Sequence, residues 1–179
     1  MPMHVALLRG INVAGHNLVA MSELRELLGE LGFAGAKSLL QSGNLVFESD
    51  RLTGDKLQRL LEAETAKRLK ITADYLVRTA TEWQAIIAKN PFPDEAVRDP
   101  SHLVVTCLKA APAKKDVQTL EAAIRGPETV RAIGKQLYIT YPAGIGRSKL
   151  TLPLIESKLG TRGTGRNWNT VLKLAALLD

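Results

Sequence analysis

The apolar positions of this chain follow two rhythms: short unbroken runs that read as buried strands, and spacings of three and four that read as amphipathic helices. His4 to Leu8 is such a run and predicts a strand, which breaks abruptly into a polar loop carrying Arg9, Gly10, Asn12, Gly15 and Asn17. Met21, Leu24, Leu27, Leu28 and Leu31 then recur at helical spacing, with Ser22 as the cap and Gly32 as the stop. Residues 36–41 and 44–49 predict two strands of a hairpin turned at Ser42-Gly43, with Asn44 at the turn edge and Leu45 and Phe47 on one face. A helix from Gly54 to Leu69 and a strand from Ile71 to Arg78 complete the unit. The order is βαββαβ, the split arrangement of ferredoxin-like domains.

Thr81 opens a short helix with Trp83, Ile86 and Ile87 on one face, and Asn90-Pro91-Phe92-Pro93 ends it. Residues 91–101 are proline-rich and acidic and read as a linker, dividing the chain into units 1–90 and 91–179 that can still pack as one globule. Beyond it the pattern restarts. A strand at His102–Leu108, a helix near Ala113–Ile124, strands near Thr129–Ile133 and Gln136–Tyr141, and helices at Lys149–Leu159 and from Asn167 or Trp168 to Leu178 give βαββαα. The fold class read from this is α+β, two tandem small sheet-plus-helices units with ferredoxin-like order, and the matching element order points to a structural duplication.

Composition narrows the function. Across 179 residues, 45% apolar content builds a core without staples, and 24 basic against 18 acidic residues leave a formal charge of +6. That charge suits anionic partners, yet it is spread rather than blocked, and aromatics at 4% are too few for a base-stacking platform. Nucleic acid is therefore the weaker partner class. The single cysteine, Cys107, lies in an apolar run, which excludes a disulfide framework and fits a reducing, cytoplasmic setting. No apolar run approaches the ~20 residues that cross a bilayer, and no signal segment opens the chain, so no membrane partner is expected.

Three further stretches carry candidate chemistry. Gln41-Ser42-Gly43-Asn44 offers hydrogen-bonding side chains at a tight turn, or simply the residues a turn requires. Tyr141 to Lys149 is a strand running through Gly144 and Gly146 towards a helix, with Arg147, Ser148 and Lys149 at its end; this is anion-binding geometry in outline, or a capped helix behind a flexible turn. It fits neither the P-loop nor the dinucleotide fingerprint. Gly163 to Thr170 reads as another loop entering a helix, with Arg166, Asn167 and Asn169 crowded at its start, either for a bound anion or as a network tying this terminus to the first loop.

Val5-Ala6-Leu7-Leu8-Arg9-Gly10-Ile11-Asn12-Val13 with Gly15 and Asn17, Gln41 to Phe47, Gly144 to Leu150, and Arg166-Asn167-Trp168-Asn169-Thr170-Val171 resemble the signature stretches of the family called domain of unknown function 1697, or DUF1697. The resemblance spans essentially the whole chain and implies a bacterial-type cytoplasmic α+β protein without an assigned activity. Ala14 and Gly165 depart from the family pattern, standing where glycine and alanine are usual.

Whether the chain is an enzyme stays open. Its motifs lack aspartate and cysteine, His16 has no carboxylate nearby to orient it, and His4, His16, His102 and Cys107 show no metal-ligand spacing. No cofactor is indicated. The expectation is a shared polar site of Arg9, Gly10, Asn12, Asn17, Ser42, Gly43, Asn44, Ser148, Lys149, Arg166, Asn167 and Asn169 that binds a phosphorylated or otherwise anionic small molecule. Nucleic-acid binding, an unassigned reaction and a purely structural role are the alternatives.

Overall fold

Each half of the chain builds one four-stranded antiparallel sheet, and a computed structural model describes residues 2–179. The chain divides into two compact units. The first runs to Ala85 and also takes in Lys173–Asp179; the second spans Ile86–Leu172.

The first unit contains β1 (Met3–Arg9), α1 (Met21–Glu30), β2 (Lys37–Leu39), β3 (Asn44–Glu48), α2 (Gly54–Leu69) and β4 (Asp74–Thr79), with strand order β2-β3-β1-β4. Leu24 and Leu28 of α1 and Leu57 and Leu61 of α2 pack on Ala6, Leu8, Leu45, Phe47, Tyr75 and Val77 of the sheet. Each such leucine is worth about 1.5–3 kcal/mol on burial. The start of α1 differs from expectation. Ala20 is the N-cap, Ser22 lies inside the first turn, and the Glu23 carboxylate accepts the Ala20 N–H.

α3 (Ala80–Ala88) follows, and the proline-rich stretch expected as a linker instead holds α4 (Pro93–Arg98) and a 3-10 turn at Pro100–His102. Pro93 sits at the start of α4, where its missing N–H costs nothing.

The second unit contains β5 (Leu103–Leu108), α5 (Lys114–Ala123), β6 (Thr129–Ile133), β7 (Gln136–Thr140), α6 (Leu152–Leu159) and β8 (Gly163–Asn167), in the order β6-β7-β5-β8, before α7 (Trp168–Ala176). The two units thus share one topology. Gly163–Asn167 is a strand, not the expected loop, so the second unit reads βαββαβ followed by a helix. Its glycines mark a close approach of strands. A Cβ at Gly163 would meet the Cys107 carbonyl oxygen at 2.6 Å, and one at Gly165 would meet Val104 Cγ1 at 2.9 Å.

The shared register makes positions comparable. Ala6 opposes Leu45 and Val77 in the first sheet; Thr106 opposes Leu137 and Gly165 in the second. The edge strands are sealed differently. On β4, the outward N–H groups of Tyr75 and Val77 donate to Glu62 and Gln58 of the 16-residue α2. On β8, Gly163 N–H donates to Glu156 of α6, which has only 8 residues. The equivalent of Gln58 is then Leu152, four residues before Glu156. A leucine has no acceptor, so the next outward N–H, on Gly165, meets no side-chain acceptor among the described residues.

Candidate functional site

The residues singled out from sequence fall into two groups, one in each unit. In the first unit they bind the chain to itself. Asn12 has φ of 52°, and its amide donates to the carbonyls of Val19 (3.1 Å) and Gln41 (2.8 Å) and accepts from Val19 N–H (2.9 Å). Asn17 donates to Gly10 and Thr72 carbonyls, and Asn44 donates to Leu39 O and Ser42 Oγ. Gly43 has φ of 90° and its carbonyl accepts from Leu8 N–H. These asparagines fasten the loop after β1 and the β2–β3 turn to neighbouring backbone. Arg9 lies opposite Asp74 across the β1–β4 ladder and pairs with it at 3.2 Å.

In the second unit the group splits. Arg166 opposes Val105 in the ladder and so lies on the sheet face opposite to that of Thr106 and Asn167. It is buried, donates to Thr164 Oγ1 (2.7 Å) and the Gly165 carbonyl (2.9 Å), and burial pushes its pKa down to about 10. Ser148 donates to Glu128 and accepts from Leu150 N–H. The helix expected from Lys149 starts later. The chain from Pro142 to Leu150 makes turns, and α6 begins only at Leu152, capped by Thr151. Lys149 and Arg147 on this loop are exposed, as is Asn169 in the first turn of α7.

What the second unit adds is a cleft of about 440 Å³ on the helix-covered face of its sheet. Its floor is Val104, Thr106, Gly165 and Asn167, and its walls are Tyr141, Ile145, Leu150, Thr151, Leu152 and Ile155, with Thr164 at the margin. Thr106 is 2% exposed, and its hydroxyl has no hydrogen-bond partner among the described residues. Asn167 Oδ1 accepts the Thr170 N–H at 3.0 Å, which fixes the amide and leaves its Nδ2 to donate elsewhere. Tyr141 donates its hydroxyl to the Leu150 carbonyl, and its pKa is pushed up to about 12, mainly by burial. It stays neutral.

The cleft lies where the second unit departs from the first at three positions, of which Gly165 in place of Val77 removes side-chain volume. Where Ala6, Val77 and Gln58 fill the core and seal the edge of the first unit, the second has Thr106, Gly165 and Leu152. Sequence reading passed over Thr106 because it sits inside an apolar strand. Its one signal is a lone hydroxyl on the inward face of β5, which alternation alone could have flagged. Among the described residues, no group of three or more His, Cys, Asp or Glu could hold a metal ion, and no helix is long and apolar enough to cross a membrane.

Residues 1–138 match the family described as a protein of unknown function, DUF1697. The chain belongs to this family. The matched region includes the motifs at residues 5–17 and 41–47; those at 144–150 and 166–171 lie beyond it. Among solved structures, the chain is similar to a conserved bacterial protein from Streptococcus pneumoniae, with a TM-score of 0.76 and 22% identity over 99% of each chain. That likeness is one of fold. No curated protein matches the chain.

Proposed function

We propose that this DUF1697 protein binds a small anionic ligand, and that the cleft of its second unit is the binding site. The observation supporting this is the polarity of the cleft's unused groups. The Thr106 hydroxyl, the Asn167 amide N–H2 and the Thr151 hydroxyl can each donate, and no carboxylate lines the cleft. Such a lining favours a ligand that brings acceptors. The loop bordering the cleft adds exposed Arg147 and Lys149, which draw in negative charge. An apolar wall of Ile145, Leu150, Leu152 and Ile155 takes up the remainder of the ligand. Arg9 and Ser148, which the sequence offered for this task, already have Asp74 and Glu128 as partners.

A thermal-shift screen against carboxylates, phosphate esters and short RNA and DNA, at low and moderate salt, tests this reading. A small anion at a hundred times its dissociation constant adds about 2.7 kcal/mol of stability. Stabilisation by one or more small anions that survives moderate salt is expected. Stabilisation only by nucleic acid, falling steeply with salt, contradicts it.

A further inference from the structure

Resting on that reading, we infer that the ligand is a small monocarboxylic acid with an apolar body, its carboxylate held between Thr106 and Asn167 over Gly165. Thr106 and Asn167 are diagonal neighbours on one face of the β5–β8 pair, within reach of a single bridging group. Gly165 lies directly opposite Thr106 and two residues before Asn167 on the same strand, and a Cβ there would come within 3.1 Å of Thr106 Oγ1. The missing side chain keeps the hydroxyl open to the cleft.

Asn167 Nδ2 and the outward Gly165 N–H can only donate, and the Thr106 hydroxyl can donate as well, so the best partner is a group that only accepts. An ionised carboxylate is one, offering two coplanar oxygens to two side-chain donors. A primary amide brings a single oxygen to these donors, and the Thr106 hydroxyl can take only one of its two N–H groups, which leaves the other unpaired in an enclosed site. A phosphate ester fits poorly for a different reason. It brings up to two charges and three oxygens, yet no cation lines the cleft, and the start of α6 is already capped by Thr151. Thr106 is the second, independent sign of a ligand: it is 2% exposed, lines the cleft, and its hydroxyl has no hydrogen-bond partner among the described residues.

Calorimetric titration of the full chain with two matched series decides this: phenylacetate, phenylacetamide and phenyl phosphate, then hexanoate, hexanamide and hexyl phosphate. In at least one series the carboxylate should bind about tenfold or more tighter than its amide and its phosphate ester. Thr106→Val, which keeps the shape and removes the hydroxyl, should erase most of that advantage while leaving the melting temperature near that of the parent. If the phosphate ester binds best, the carboxylate assignment falls while anion binding stands. If amide and acid bind alike, or none of the six binds, both readings fail. If Thr106→Val binds the carboxylate as tightly as the parent does, the assignment of this floor is overturned.

Discussion

Gly165 lies directly opposite Thr106 in the β5–β8 ladder, and a Cβ built on it would stand 2.9 Å from Val104 Cγ1 and 3.1 Å from Thr106 Oγ1. In the first unit the same pair of positions is Val77 and Ala6, both fully packed. One sheet closes its core here and the other opens it. Gly165→Val should therefore fill the floor of the cleft, cost roughly 1–3 kcal/mol through overpacking, and abolish small-anion binding. Urea unfolding and calorimetry measure the two effects. Retained binding would place the ligand elsewhere.

The asparagines of the first loop are predicted to act on stability. Asn12→Ala removes two half-buried hydrogen bonds to the Val19 backbone and an exposed one to the Gln41 carbonyl, and should cost about 1–3 kcal/mol in urea unfolding. Binding measured below the melting transition should be unchanged. A variant as stable as the parent would count against the fastening role.

Gly43 has φ of 90°, and a Cβ there would lie 2.8 Å from both Leu8 Cβ and Ile11 Cδ1. Gly43→Ala combines backbone strain with a core clash, so a loss of about 2–4 kcal/mol is expected, read from the denaturation midpoint. Ala14 is the opposite case. It has φ of 49°, followed by Gly15 at 78°, in a turn closed by His16 N–H to the Val13 carbonyl. This is the φ pattern of a type I′ turn, which alanine enters at a cost. Ala14→Gly should stabilise the protein by about 0.5–1 kcal/mol after the glycine's unfolded-state entropy is subtracted.

His4 gives the fold a pH dependence. Its ring is buried, with Nδ1 at 3.1 Å from the Pro2 carbonyl and Nε2 at 3.1 Å from Thr53 Oγ1. Burial lowers its pKa below 6.5, opposed in part by the Pro2 carbonyl and the Glu82 charge. The folded state thus prefers neutral His4. Its contribution is complete above the unfolded value of 6.5 and is lost as pH falls from there through the lowered folded value. Urea midpoints at pH 7.5 and pH 5 (roughly one unit or more either side of that value) should show a loss that shrinks in His4→Phe. An equal loss in both proteins would remove His4 from the account.

Most elements were legible because their signal is periodic: the spacing of Leu57, Leu60, Leu61 and Leu69 marks α2 over the same residues the structure shows. β8 was not, because Gly163 and Gly165 carry loop chemistry in sequence but serve close strand approach in space. The polar motifs were visible as residue types, whereas their roles depend on what stands opposite them. Nothing local distinguishes Arg166, turned to one face of the sheet, from Asn167, turned to the other. Thr106 and Leu152 gain meaning only beside Ala6 and Gln58, their counterparts in the other unit.

The most direct measurement is the perturbation of backbone amide signals in a 1H–15N spectrum as phenylacetate and hexanoate are titrated in. The account predicts that the signals of Thr106, Ile145, Gly165 and Asn167 move together and saturably, while those of Asn12, Asn17, Ser42 and Asn44 stay in place. Movement confined to the first-unit loops, or no saturable movement at all, would contradict it.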